Sequence, residues 1–133
     1  VKAGVKVNLI IRGILTLKRT NEKNAGKINA ISIVDQYLEH ARVIIFNNKG
    51  NQKVFISSAD WMVRNLDHRI EVAVPIVDPV IKKELIDIIH IQLKDNQKAR
   101  ILDGELSNKY VPSAKATSFK SQEETYKFLK GKR

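Results

Sequence analysis

The residues with chemistry to offer are concentrated between Leu38 and Arg69. His40 and Arg42 lead into the apolar run Val43-Ile44-Ile45-Phe46, and Ser57, Ser58 and Asp60 close the run Val54-Phe55-Ile56. Arg64, Asn65 and Arg69 follow. An imidazole serves near neutral pH as nucleophile, general acid or base, or hydrogen-bond donor to phosphate. Guanidinium forks match phosphate oxygens bidentately. Arg42 lies two residues from His40 and so shares its strand face. This set of donors beside two apolar strands reads as a phosphate-binding rim. Each member also has a plainer reading. Ser58 and Asp60 either orient His40 or cap the turn, and Ser57 reads as the turn residue. Arg64 either binds phosphate or pairs with Asp67, and Glu39 either orients the imidazole or faces water. Asp60 has no neighbouring carboxylate in sequence to suggest a metal pair. Earlier in the chain, Arg12-Gly13 leaves the apolar strand Val5–Ile11. A cation there suits a site at the carboxyl edge of a sheet, though alone it reads as a solvated strand end.

These residues need a frame. Asn47-Asn48-Lys49-Gly50-Asn51 supplies a hairpin turn between the two apolar runs, because Asn and Gly tolerate positive φ. Strands are further expected at Ile28–Ile33, Ile70–Ile76 and Ala99–Leu102, with Pro75 marking an edge or an end. Asp78-Pro79 is a helix start, with Asp at the N-cap and Pro at the first helical position. Ile81, Leu85, Ile88, Ile89 and Leu93 then recur at helical spacing through Lys94. Ser121 reads as the cap of a helix over Gln122–Lys130, with a Glu at the third position. Lys18–Lys27 and Lys109–Lys120 read as loops, and Lys130–Arg133 as a basic, frayed tail. Alternating strands and helices imply an α/β fold with a mixed β-sheet flanked by helices.

Composition limits the functions. A chain of 133 residues has room for one ordinary domain. The formal net charge of +10 calls for an anionic partner: nucleic acid, nucleotide, polyphosphate or a membrane surface. The absence of cysteine excludes disulfides and thiolate chemistry, which fits a cytoplasmic protein, free or membrane-associated. No apolar run is long enough to span a bilayer, and no signal-peptide pattern opens the chain. His40, His68 and His90 lack zinc-ligand spacing. A strand beginning within a few residues of Val1 suggests a piece cut from a longer chain.

The His-x-Arg pair, the hairpin and the Ser-Ser-Ala-Asp turn resemble the half-site of the phospholipase D superfamily, with Arg42 in place of Lys, Asn47 near the usual Asp, Ser57 for Gly and Asp60 for Asn. A closer resemblance covers nearly the whole chain. Val7–Gly13, Leu38–Val43, Ile56–Met62 and Arg64–Val72, continued by Ala99–Asp103 and Leu106–Val111, resemble the C-terminal domain of the polyphosphate kinases built with phospholipase D-like domains.

That resemblance implies a single phospholipase D-like α/β domain over residues 1–133. It also implies an enzyme that reversibly moves the terminal phosphate between ATP and polyphosphate, with magnesium whose ligands lie outside this stretch. The stable phosphohistidine of the family is carried on the preceding phospholipase D-like domain. By resemblance, Arg12, His40 and Arg69 contact nucleotide phosphates. His40 matches the assisting histidine, and when protonated it would donate to a phosphate or to the leaving oxygen. Arg42, Ser58, Asp60, Arg64 and Asn65 support it, Arg42 either lining a polyphosphate path or balancing charge. Trp61 and Met62 read as core rather than as an adenine platform, and His68 and His90 as structural or solvated. The implied partners are ATP, ADP, polyphosphate and the preceding domains of a homo-oligomeric enzyme, the piece being inactive alone. Two other readings stay open: a non-catalytic, basic nucleic-acid-binding module, and a self-dimerising phosphodiesterase in which two His40 half-sites meet. Against the first, aromatic residues do not interleave with the cations as stacking platforms would.

Overall fold

The computed structural model describes residues 1–16, 27–103, 105, 107–112 and 117–132. The loop expected at Lys18–Lys27 therefore falls outside the described residues except for Lys27, as do Leu106, Arg133 and part of the Lys109–Lys120 loop. The elements run β1 (Val7–Ile10), β2 (Ile28–Ile33), β3 (Val43–Phe46), β4 (Lys53–Ser57), α1 (Val63–Leu66), β5 (Ala73–Pro75), α2 (Pro79–Leu93), β6 (Ala99–Ile101) and α3 (Ser121–Lys130). They form two compact units, Val1–Glu39 with His90–Arg133 and His40–Ile89. Among the described residues no helix is long and apolar enough to cross a membrane.

In the first unit the strand order is β1-β2-β6, with β1 parallel and β6 antiparallel to β2. Ala30 and Ile31 on the central strand are both buried. Successive strand residues point to opposite faces, so both faces of β2 are covered. Asp95 organises the end of this unit. Its Oδ1 accepts the N–H groups of Gln97 (2.9 Å), Lys98 (2.7 Å) and Ala99 (3.0 Å), and its Oδ2 accepts that of Ser121 at 2.8 Å. The first turn of α3 thus receives its acceptor from Asp95, 26 residues away. This corrects the expected Ser121 cap: Lys120 holds the N-cap position without a side-chain cap bond, and Ser121 is already helical.

The second unit is a meander. β3, β4 and β5 pair antiparallel in chain order, with Val43 opposite Ile56 and Ile56 opposite Val74. Val54 is buried at its centre, and Phe46 meets Phe55 edge to face at 6.1 Å between ring centroids. The hairpin turn carries positive φ at Asn48, Lys49 and Gly50. Asp78 Oδ1 accepts the N–H groups of Val80 and Ile81 at 2.8 and 2.9 Å, so the expected N-cap and Pro79 start of α2 are both formed.

The α/β class holds, but the strands form two three-stranded sheets, one mixed and one antiparallel, instead of a single mixed sheet. The whole β3–β5 meander is inserted between β2 and β6, and short local connections close it on itself. The core reading of Trp61 and Met62 is also corrected. Trp61 is 79% exposed and Met62 39% within this chain. α1 is a single four-residue turn, and its inward position is taken by Asn65.

Candidate phosphate-facing site

The hairpin brings the His-x-Arg pair to the Ser-Ser-Ala-Asp turn. The Ser57 N–H donates to the Arg42 carbonyl at 2.9 Å, which extends the β3–β4 ladder past the last paired residues. Ser57 Oγ then accepts the Ala59 N–H at 3.1 Å. That local bond is the turn role expected of Ser57, and it swings Asp60 back toward Arg42.

Arg42 Nε donates to Asp60 Oδ1 at 2.8 Å, and Arg42 Nη2 lies 2.6 Å from His40 Nε2. His40 Nε2 is 3.6 Å from Asp60 Oδ1, and Arg64 Nη2 is 4.0 Å from Asp60 Oδ2. His40, Arg42, Asp60 and Arg64 thus form one cluster with Asp60 at its hub. The hydrogen bond from Arg42 holds the Asp60 carboxyl below its ordinary range, and the His40 contact acts in the same direction. The same hydrogen bond raises Arg42.

Ser58 and Asn65 meet on Glu71, which lies in the run Ile70–Ile76 expected as a plain strand. Ser58 Oγ donates to Glu71 Oε2 and accepts the Val72 N–H at 3.0 Å. Asn65, 3% exposed, donates from Nδ2 to Glu71 Oε1 at 2.7 Å. These two donors lower the Glu71 carboxyl against the opposing effect of burial, with smaller contributions from Arg69 and Arg42. The signal in the sequence is a lone acid inside the apolar run Ile70–Ile76.

Arg69 is exposed and makes no hydrogen bond or ion pair with the described residues. Arg12, two residues beyond β1 in the first unit, is likewise exposed and unpaired among them. His68 and His90 are exposed. Glu39 neither faces open water nor orients His40: its carboxylate accepts Gln92 Nε2 and, at 3.0 Å, Gln122 Nε2. The first unit also holds an open concavity of about 500 Å³ lined in part by Lys98, Arg100 and Tyr110. Its cations are committed. Arg100 lies 3.9 Å over the Tyr110 ring and donates to the Asn108 carbonyl, and Lys98 lies 3.9 Å from Asp35.

Fold and cluster together describe an α/β chain in which His40, Arg42 and Arg64 are gathered around one carboxylate, that of Asp60. The chain belongs to the family described as polyphosphate kinase C-terminal domain 2, whose model matches residues 1–122. It is 52% identical over 128 residues to the polyphosphate kinase of Vibrio parahaemolyticus, covering 96% of this chain and 18% of that protein. Against the polyphosphate kinase of Escherichia coli K12 the identity is 51%, covering 96% of this chain and 19% of that protein. The crystal structure of polyphosphate kinase from Porphyromonas gingivalis superposes with a TM-score of 0.92 at 46% identity, covering 98% of this chain and 20% of that one. The chain therefore spans about a fifth of the length of these relatives.

Proposed function

We propose that this chain is the C-terminal half-site of a polyphosphate kinase that reversibly transfers the terminal phosphate of ATP to polyphosphate. Its part in that reaction is to bind the phosphates and offset their charge. The observation that supports this most is a division of labour among the cations in a member of this family. Arg42 and Arg64 lean on Asp60, whereas Arg69 is exposed and unpaired, as Arg12 is on the other unit.

Phosphoryl transfer asks a protein chiefly for positioning and charge stabilisation. Arg69 and Arg12 each offer a guanidinium fork to phosphate oxygens. His40 donates a hydrogen bond to a phosphate. Arg42 and Asp60 hold the imidazole, and Ser58, Asn65 and Glu71 hold the segment that leads to Arg69. The resemblance brings a magnesium ion with it, but the rim carboxylates do not fit one. Asp60 is engaged by Arg42, and Glu71 by Ser58 and Asn65. No group of three or more His, Asp or Glu among the described residues could hold a metal.

The chain alone carries one His-x-Arg half and does not turn over. In this reading it works as one domain of a longer, cytoplasmic, homo-oligomeric enzyme, beside the domain that bears the phosphohistidine. Calorimetric titration of the chain with ATP and with a long polyphosphate tests the binding role. Saturable binding weakened by Arg69→Ala and His40→Ala is expected. Absence of binding, or binding indifferent to both substitutions, contradicts it.

A further inference from the structure

We propose that Gln122 is a positioning residue for phosphate binding: its carboxamide clamps residues 37–39, so that α3 fixes the backbone from which His40 follows. Gln122 Oε1 accepts the Tyr37 N–H at 3.1 Å. Its Nε2 donates to the Tyr37 carbonyl at 2.7 Å and to Glu39 Oε1 at 3.0 Å. One side chain thus holds both backbone groups of a residue 85 positions away, together with the carboxylate that follows it. Only an amide offers the acceptor and the two donors this needs. Glu39 Oε2 accepts a second amide, that of buried Gln92.

Tyr37, Glu39, Gln92 and Gln122 all belong to the first unit, and His40 is the next residue in the chain. Burial does not hold this stretch. Tyr37 and Leu38 are 66% and 80% exposed and lie outside every helix and strand. Among the described residues His40 and Ala41 make no backbone hydrogen bond. The first anchor beyond them is the Arg42 carbonyl, which accepts the Ser57 N–H at 2.9 Å. The backbone that carries His40 is therefore pinned at Glu39 before it and at Arg42 after it.

The two bonds to the Tyr37 backbone lie at the surface, so water replaces them when Gln122 is truncated. The loss falls on the order of residues 37–39 and not on the fold. Freedom returned to that stretch has to be removed again when His40 meets a phosphate, and binding weakens accordingly. The phosphate end of this inference rests on the function proposed above, and the clamp does not.

The test combines amide hydrogen exchange, urea denaturation and ATP titration on the 133-residue chain. In Gln122→Ala the Tyr37 amide should exchange faster, while β3, β4 and α2 keep their wild-type protection and the urea midpoint barely moves. ATP affinity should fall roughly three- to tenfold, the scale of one net hydrogen bond. Gln122→Glu sets two carboxylates against each other and should lose more. Pairing it with Glu39→Gln moves the amide to position 39 and the carboxylate to position 122, and should recover part of both the protection and the affinity. A Tyr37 amide indifferent to Gln122→Ala, or no recovery in the exchanged pair, overturns the clamp. A loosened segment with unchanged ATP affinity overturns the positioning role. A wild-type chain that binds no ATP removes the phosphate end together with the proposed function, and the exchange data still decide the clamp. Should Gln122→Ala fail to fold, Gln122→Glu against the exchanged pair decides.

Discussion

Arg42 and Asp60 stand 18 residues apart in the chain and meet at 2.8 Å, so the hairpin between them sets where His40 is held. In the proposed reading this contact makes Arg42 a brace rather than a phosphate clamp. Arg69 and Arg12 make no hydrogen bond or ion pair among the described residues, and the proposed function gives phosphate binding to them.

Arg69→Ala is therefore expected to separate binding from stability. An exposed side chain without a hydrogen bond or ion pair among the described residues contributes within about 0.5 kcal/mol to folding. A charge-assisted hydrogen bond contributes about 1.5 kcal/mol or more to binding, roughly tenfold in affinity. Arg12→Ala should behave alike. Urea midpoints beside ATP titrations check this. A large drop in midpoint would make Arg69 a structural residue.

Asp95 has the opposite profile. Removing its carboxylate in Asp95→Ala leaves four N–H groups without their acceptor, at an expected cost of about 2–4 kcal/mol, read from chemical denaturation. Burial pushes this carboxyl up, and the hydrogen bonds from Ser121, Lys98 and Gln97 outweigh it, leaving a net lowering. A carboxyl lowered by folding contributes stability that is full above the unfolded value of about 3.9 and fades as pH falls through the folded one. Stability should thus decline on acidification in the wild type and less steeply in Asp95→Asn. Parallel declines would remove Asp95 from the account of acid sensitivity.

Much of this was legible in the residues. Asp78-Pro79 announced α2, Asn and Gly announced the hairpin turn, and the β-like run Ile28–Ile33 announced β2. These signals are local, and local chemistry decides them. The Ser121 cap was misread because the acceptor comes from Asp95, which sequence spacing does not reveal. Trp61 was misread because hydrophobicity alone cannot say that a four-residue helix offers its inward position to Asn65. In the site, His40, Arg42 and Asp60 were legible as a set, but which nitrogen of His40 faces Arg42 was not. Glu71 was missed because its donors, Ser58 and Asn65, reach it only after the chain has turned twice.

Asn65→Ala tests the Glu71 arm. Asn65 is buried, and its amide bond to Glu71 closes the segment leading to Arg69. A loss of about 1.5–3 kcal/mol is expected, the scale of a hydrogen bond to a charged group. Weaker ATP binding should accompany it, since Arg69 loses its support. Unchanged binding in a folded variant would detach Arg69 from this arm.

Gly50→Ala serves as a control in the turn. Gly50 has φ of +91° and open space where a Cβ would stand, so the cost is backbone strain alone, about 1–2 kcal/mol. Thermal denaturation should show that loss while ATP and polyphosphate affinities stay as in the wild type. A fall in affinity as large as that of Arg69→Ala would mean the turn itself takes part in binding.

The central claim is that specific side chains, and not net charge, recognise phosphate. Its most direct test is competition on the 133-residue chain between a long polyphosphate, ATP and a DNA duplex of matched charge, at two salt concentrations. Preference for polyphosphate or ATP that persists at the higher salt and collapses in His40→Ala and Arg69→Ala is the predicted result. Equal binding of all three anions, falling together with salt and indifferent to both substitutions, would leave only a basic surface and contradict the account.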